Sequence, residues 1–139
     1  MKQILLVILI AFSIGCATQL QIGTGTKKLN GTWVPVKQEM AGNTLPKSFY
    51  EKQTLTIKDS TYIVEAESTD RGKIYFSKNK IDIYSKEGVN KGKHFTAIYK
   101  IENNLLYVCY NLGGIGFPEN FETKGKPLFF LSVFKLQSR

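Results

Sequence analysis

Thr54-Leu55-Thr56-Ile57-Lys58-Asp59-Ser60-Thr61-Tyr62-Ile63-Val64-Glu65 alternates apolar with polar residues on both sides of Asp59-Ser60. With Asp59-Ser60 as a two-residue turn, Leu55 faces Val64 and Ile57 faces Tyr62. Thr54, Thr56, Lys58, Thr61 and Glu65 then share the opposite face, with Ile63 the one exception. A period of two on either side of a turn pair describes a hairpin with one buried and one wet face.

The same pattern repeats along the chain. A turn at Lys78-Asn79 sets Phe76 against Ile81 and Ile74 against Ile83, leaving Lys73, Tyr75, Lys80 and Asp82 outside. A turn at Asn103-Asn104 sets Phe95, Ala97, Tyr99 and Ile101 against Leu106, Val108, Tyr110 and Leu112. Slipping any of these pairings by one residue would turn the apolar set into water, so the register is specified. With Gly31–Met40 before the hairpins and 128–136 after them, the count reaches eight strands, the spacing of an all-β sandwich or closed barrel. Residues 47–52, behind Leu45-Pro46, predict one short helix. Residues 111–127 carry Gly113, Gly114, Gly116, Pro118, Gly125 and Pro127 and read as a long functional or mobile loop.

Three short stretches, Gly31-Thr32-Trp33, Gly42-Asn43-Thr44-Leu45-Pro46 and Gly88-Val89-Asn90-Lys91-Gly92-Lys93, are followed in order by Ala97-Ile98-Tyr99, Val108-Cys109 and Pro118-Glu119-Asn120-Phe121. Together they resemble an uncharacterised lipocalin-like, calycin-type domain family common in planctomycete proteomes. The resemblance implies an eight-stranded antiparallel up-and-down barrel over residues 29–139 and carries no established activity. It also implies that a cation from the last strand covers the first-strand tryptophan. Here that pair is Trp33 and Lys135, a contact worth about 0.5–2 kcal/mol. Pro35 departs from a regular strand, because proline lacks a ladder donor and belongs at an edge or bulge.

Ahead of the domain, Lys2 precedes an unbroken apolar run over residues 4–12, then Ser13-Ile14-Gly15 and Cys16. A bilayer-spanning helix needs about 20 apolar residues, so the run has the dimensions of an export signal. Cys16 directly after Gly15 resembles the bacterial lipobox, although Ser13 stands where that motif usually carries an aliphatic residue. The expectation is a signal peptide over 1–15 that is removed, a lipidated Cys16, and a flexible Gly/Thr-rich tether over 16–28. It places the protein in the bacterial cell envelope, anchored to a membrane, periplasmic or surface-exposed. Ala17, where an aspartate would favour inner-membrane retention in some bacteria, points to the outer membrane. With Cys16 acylated, Cys109 has no partner for an intrachain disulfide.

Chemistry is sparse. The chain has 139 residues, with 42% apolar and 12% aromatic residues, but only one His and two Cys. This composition speaks against zinc sets, and no acidic loop has calcium-ligand spacing. In the Asn103-Asn104 register Cys109 lies opposite Ile98, four residues from His94. At about 3.3 Å per residue that is about 13 Å, against the ~3 Å a nucleophile and its base require. The carboxylates are scattered, and Gly113-Gly114-Ile115-Gly116 lacks the Lys-Ser/Thr of a phosphate loop. No catalytic residue, metal or cofactor is therefore expected.

Lysine and arginine number 19 against 11 acidic residues, a net charge of +8. Arg71, Lys73, Lys78, Lys80, Lys86, Lys91 and Lys93 form a candidate basic surface. Lysine dominates it, which fits anionic headgroups or wall polymers better than nucleic-acid recognition. Trp33, Tyr62, Phe76, Phe95, Tyr99 and Tyr110 are the candidate ligand-facing residues, joined by Phe129 or Phe130. The leading expectation is a non-enzymatic lipoprotein binding a small apolar or amphipathic ligand, reached past the 111–127 loop, with Tyr99 and Tyr110 as polar anchors. The alternative is a structural or interaction lipoprotein whose barrel is filled by side chains and whose Lys-rich face meets an anionic envelope component.

Overall fold

The computed structural model describes residues 27–138. The expected signal peptide over 1–15, the expected acylation of Cys16 and the expected tether as far as residue 26 lie outside the described residues. Nine strands follow a 3-10 turn at Lys27–Leu29: β1 (Gly31–Met40), β2 (Asn43–Thr44), β3 (Thr54–Lys58), β4 (Thr61–Glu65), β5 (Thr69–Ser77), β6 (Lys80–Gly88), β7 (His94–Glu102), β8 (Leu105–Asn111) and β9 (Phe129–Leu136). β2 is a two-residue pairing on the end of β1. The other eight run antiparallel in chain order, and β9 returns to pair with β1, closing an up-and-down barrel with a lipocalin-like fold.

The three hairpins adopt the registers expected from their alternation. Leu55 pairs with Val64 and Ile57 with Tyr62; Ile74 pairs with Ile83 and Phe76 with Ile81; Ala97 pairs with Tyr110 and Tyr99 with Val108. Asn103 and Asn104 both take positive φ, 51° and 61°, the backbone a tight primed hairpin turn demands and asparagine tolerates. Leu29, Trp33, Leu55, Ile57, Tyr62, Ile74, Ile81, Ile83, Leu106, Val108 and Phe134 form one inner cluster. Ile101, expected inside, is 46% exposed although its partner Leu106 is buried, because it lies at the end of β7 next to the Asn103-Asn104 turn.

Two expectations about local structure are corrected. Residues 47–52 form no α-helix: a 3-10 turn spans Lys47–Phe49 only, since six residues cannot offset the cost of helix nucleation without a packed face. Trp33 and Lys135 do not meet. Trp33 points inward and donates Nε1–H to the Leu29 carbonyl at 2.8 Å. Lys135 pairs with Val34 and Leu105 on the outer face and is exposed. In β9 the even-numbered Phe130 and Phe134 face the interior, so an odd-numbered Lys135 has the wrong parity for the contact. Pro35 sits immediately before a register slip between Pro35 and Lys37, where its missing donor is tolerated.

The 111–127 segment, expected as a functional or mobile loop, is packed against the barrel wall. It lies as a strap across the outside of β7, β8 and β9, over a second apolar cluster of Ile98, Cys109, Leu131 and Val133 joined by Tyr107, Phe117, Phe121 and Phe129. Thr96 donates its hydroxyl to the Gly116 carbonyl at 2.5 Å, and Asn111 Nδ2 donates to the Ile115 carbonyl at 2.8 Å. Farther along, the fully buried Thr123 accepts the Gly42 amide at 2.9 Å and donates to the Glu39 carboxylate. Gly114 (φ 70°) crosses the His94 carbonyl so closely that a Cβ would collide with it.

The opposed placement of Trp33 and Lys135 sets an expected outcome. Trp33→Ala should cost about 3–5 kcal/mol in urea unfolding, and Lys135→Ala should stay within about 0.5 kcal/mol of the parent.

Candidate functional site

The barrel has two unlike ends. At one end the 3-10 turn at Lys27–Leu29 lays Leu29, 1% exposed, under Trp33 and forms a floor. The turns at Asp59, Lys78 and Asn103 also lie at this end. At the other end Gln38, Gln53, Asn90 and Lys93 surround an opening. Between them is a cavity of about 490 Å³, within the range of small-molecule sites.

Of the six aromatic residues expected to face a ligand, Tyr62, Phe76, Phe95 and Tyr110 line this cavity, and Phe130 rather than Phe129 joins them. Trp33 and Tyr99 do not line it. Tyr99 packs edge-on against Phe76, centroids 5.7 Å apart, and donates its hydroxyl to the Lys78 carbonyl at 3.1 Å, at the floor end. It is therefore no anchor at the mouth. Because these two rings plug the floor, the interior above them stays open, and the barrel is not filled by side chains. Most of the strap runs over the outer wall, and Leu112 at its start borders the cavity.

The polar groups near the mouth centre on Asp70, which is 8% exposed. Its carboxylate accepts the Tyr62 hydroxyl at 2.7 Å, the Ser85 hydroxyl at 2.6 Å and the Asn90 backbone amide at 3.3 Å. Burial, then the bond to Asp70, pushes the Tyr62 hydroxyl well above the ordinary tyrosine range. Tyr110 is pushed up as well, chiefly by burial and then by proximity to Tyr62 and Cys109. Both hydroxyls stay protonated at neutral pH. The Tyr110 ring stacks on Phe130 at 5.7 Å, and its hydroxyl has no hydrogen-bond partner among the described residues. Asp70 escapes a search for paired carboxylates. The signal that finds it is parity: counting back by two from Phe76 and Ile74 through Gly72 places it on the inner face.

The basic residues do not form one surface. Arg71, Lys73, Lys80 and Lys86 share the outside of β5 and β6; Lys78 occupies a floor-end turn, and Lys91 and Lys93 flank the mouth. Lys80 lies over the Phe117 ring at 5.0 Å and Lys86 over Tyr84 at 5.7 Å, so part of this charge covers aromatic surface. His94 stacks on Tyr84 at 4.4 Å and its Nε2 lies 2.9 Å from Asp82 Oδ1. This cross-strand pairing follows from Tyr84 facing His94 in the β6–β7 register. Cys109 is fully buried under the strap. Among the described residues no three of His, Cys, Asp and Glu form a group able to hold a metal ion.

No protein-family model, curated protein or solved structure matches the chain. The fold and the cavity are therefore the ground for any functional reading.

Burial raises the Cys109 thiol from 9.0 to about 11, with Lys126 opposing and Glu39 adding to the shift. The folded state thus holds this proton where the unfolded chain has lost it. The group's contribution is complete below about pH 9 and is lost as pH rises toward about 11. Thermal unfolding should show that decline, reduced in Cys109→Ala. Iodoacetamide at pH 8 should label native Cys109 at least about tenfold more slowly than in the unfolded chain.

Proposed function

We propose that the protein is a lipid-anchored bacterial envelope protein whose barrel binds a small, largely apolar ligand and performs no chemistry on it. The observation that carries the binding role is the cavity of about 490 Å³, closed at its floor and open at a polar rim. Its wall is mostly aliphatic and aromatic, and apolar ligand surface buried against it gains about 25 cal/mol per Å². The tyrosine hydroxyls near the rim are held neutral, which fits them to donate or accept hydrogen bonds rather than to act as bases at neutral pH. The anchor rests on the apolar run over 4–12 and on Cys16 after Gly15. Acylation of that cysteine supplies the two-chain attachment that holds a protein stably on a bilayer.

The binding role is tested by titrating the neutral dye Nile red into the full chain carrying Cys16→Ser, which removes the need for detergent. Fluorescence should rise saturably, and Val64→Trp, which places a large ring in the cavity wall, should weaken binding by about tenfold or more. Absence of saturable binding removes the role. Expressed in a bacterial host, the parent chain should incorporate labelled palmitate and sediment with membranes, and Cys16→Ser should incorporate none.

A further inference from the structure

We propose that the cavity selects an amphipathic amine: an apolar tail in the body of the cavity and a protonated amino head beside Asp70 and Tyr110. This rests on the cavity being a ligand site and adds the chemical class of what it takes.

The argument begins with an uncompensated charge. Asp70 is 8% exposed and borders the cavity, and among the described residues it takes part in no ion pair. Its three partners, the Tyr62 and Ser85 hydroxyls and the Asn90 amide, are all neutral donors. A carboxylate offers about four acceptor positions. Oδ1 takes two of these bonds and Oδ2 only one, so Oδ2 keeps a free position. Buried charges in proteins are ordinarily matched by an opposite charge. No described residue supplies one here, and a ligand cation would.

A second, independent group points the same way. The Tyr110 hydroxyl borders the same cavity with no partner among the described residues, and its ring is packed against Phe130. It can accept a hydrogen bond from an ammonium group whose other protons reach Asp70. Ile74, Ile83, Leu106 and Val108 line the space between this polar corner and the floor, which suits a tail rather than a compact polar molecule. Lys93 stands at the rim and is the group that would favour an anionic head. Its ammonium bonds Asn90 Oδ1 at 3.2 Å instead of Asp70. An anion drawn inward from Lys93 would meet the Asp70 carboxylate.

The experiment is displacement of Nile red from the full-length Cys16→Ser protein at pH 7 by decylamine, decan-1-ol and decanoate, which share one tail and differ in head. Decylamine should displace the dye at about tenfold lower concentration than decan-1-ol, equivalent to about 1.4 kcal/mol, with decanoate the weakest. Asp70→Asn should bring decylamine to the level of the alcohol, each compared with the dye affinity of that same variant. If Asp70→Asn does not fold, Tyr110→Phe should narrow the amine preference severalfold, and the ranking on the parent protein decides by itself. Amine and alcohol binding equally, or decanoate binding best, overturns the inference while leaving the cavity reading intact. Failure of Nile red to bind at all overturns both.

Discussion

The pairing of β1 with β9 is the constraint on which the rest of the molecule depends. A single sheet of eight strands with free edges would expose two unpaired ladders and enclose nothing. Closure brings Trp33 into line with Leu136 and Met40 with Phe130, and it does so across a register slip at Pro35. The slip changes which residues of β1 face inward: Trp33 packs on Leu29 at the floor, and Gln38 reaches the rim of the cavity. The contribution of β1 to the polar rim therefore depends on that irregularity in the closing strand.

β9 is held on both sides. Phe130 and Phe134 face the interior, while Leu131 and Val133 belong to the cluster beneath the strap. A strand buried on both faces has no alternation to display. That is why Phe129-Phe130-Leu131-Ser132-Val133-Phe134 does not reveal its own parity, and why the Trp33–Lys135 contact is misplaced by one residue. The hairpins around Asp59, Lys78 and Asn103 were legible for the opposite reason. Each has one wet face, a turn pair and strands long enough for the period to repeat. The strap misleads through its glycines and prolines, which resemble a mobile segment. Its Phe117 and Phe121 need somewhere to go, and the apolar outer positions Ile98, Tyr107 and Cys109 are where they go.

At the cavity the legible part was again the aromatic lining. Tyr62, Phe76, Phe95 and Tyr110 follow from strand alternation alone. The depth at which each ring sits does not, because it depends on which end of the barrel the 3-10 turn closes. Trp33 and Tyr99 sit at the closed end for that reason. Asp70 was hidden by its chemistry: a carboxylate is ordinarily a surface residue, and only its inward parity opposite the Ser85 side of β6 marks it as part of the wall.

The 3-10 turn at Lys27–Leu29 has a geometric consequence for the whole assembly. The chain enters the barrel through its sealed base, and the opening lies at the opposite pole. A molecule entering that opening would approach from the pole remote from the point where the chain joins the barrel.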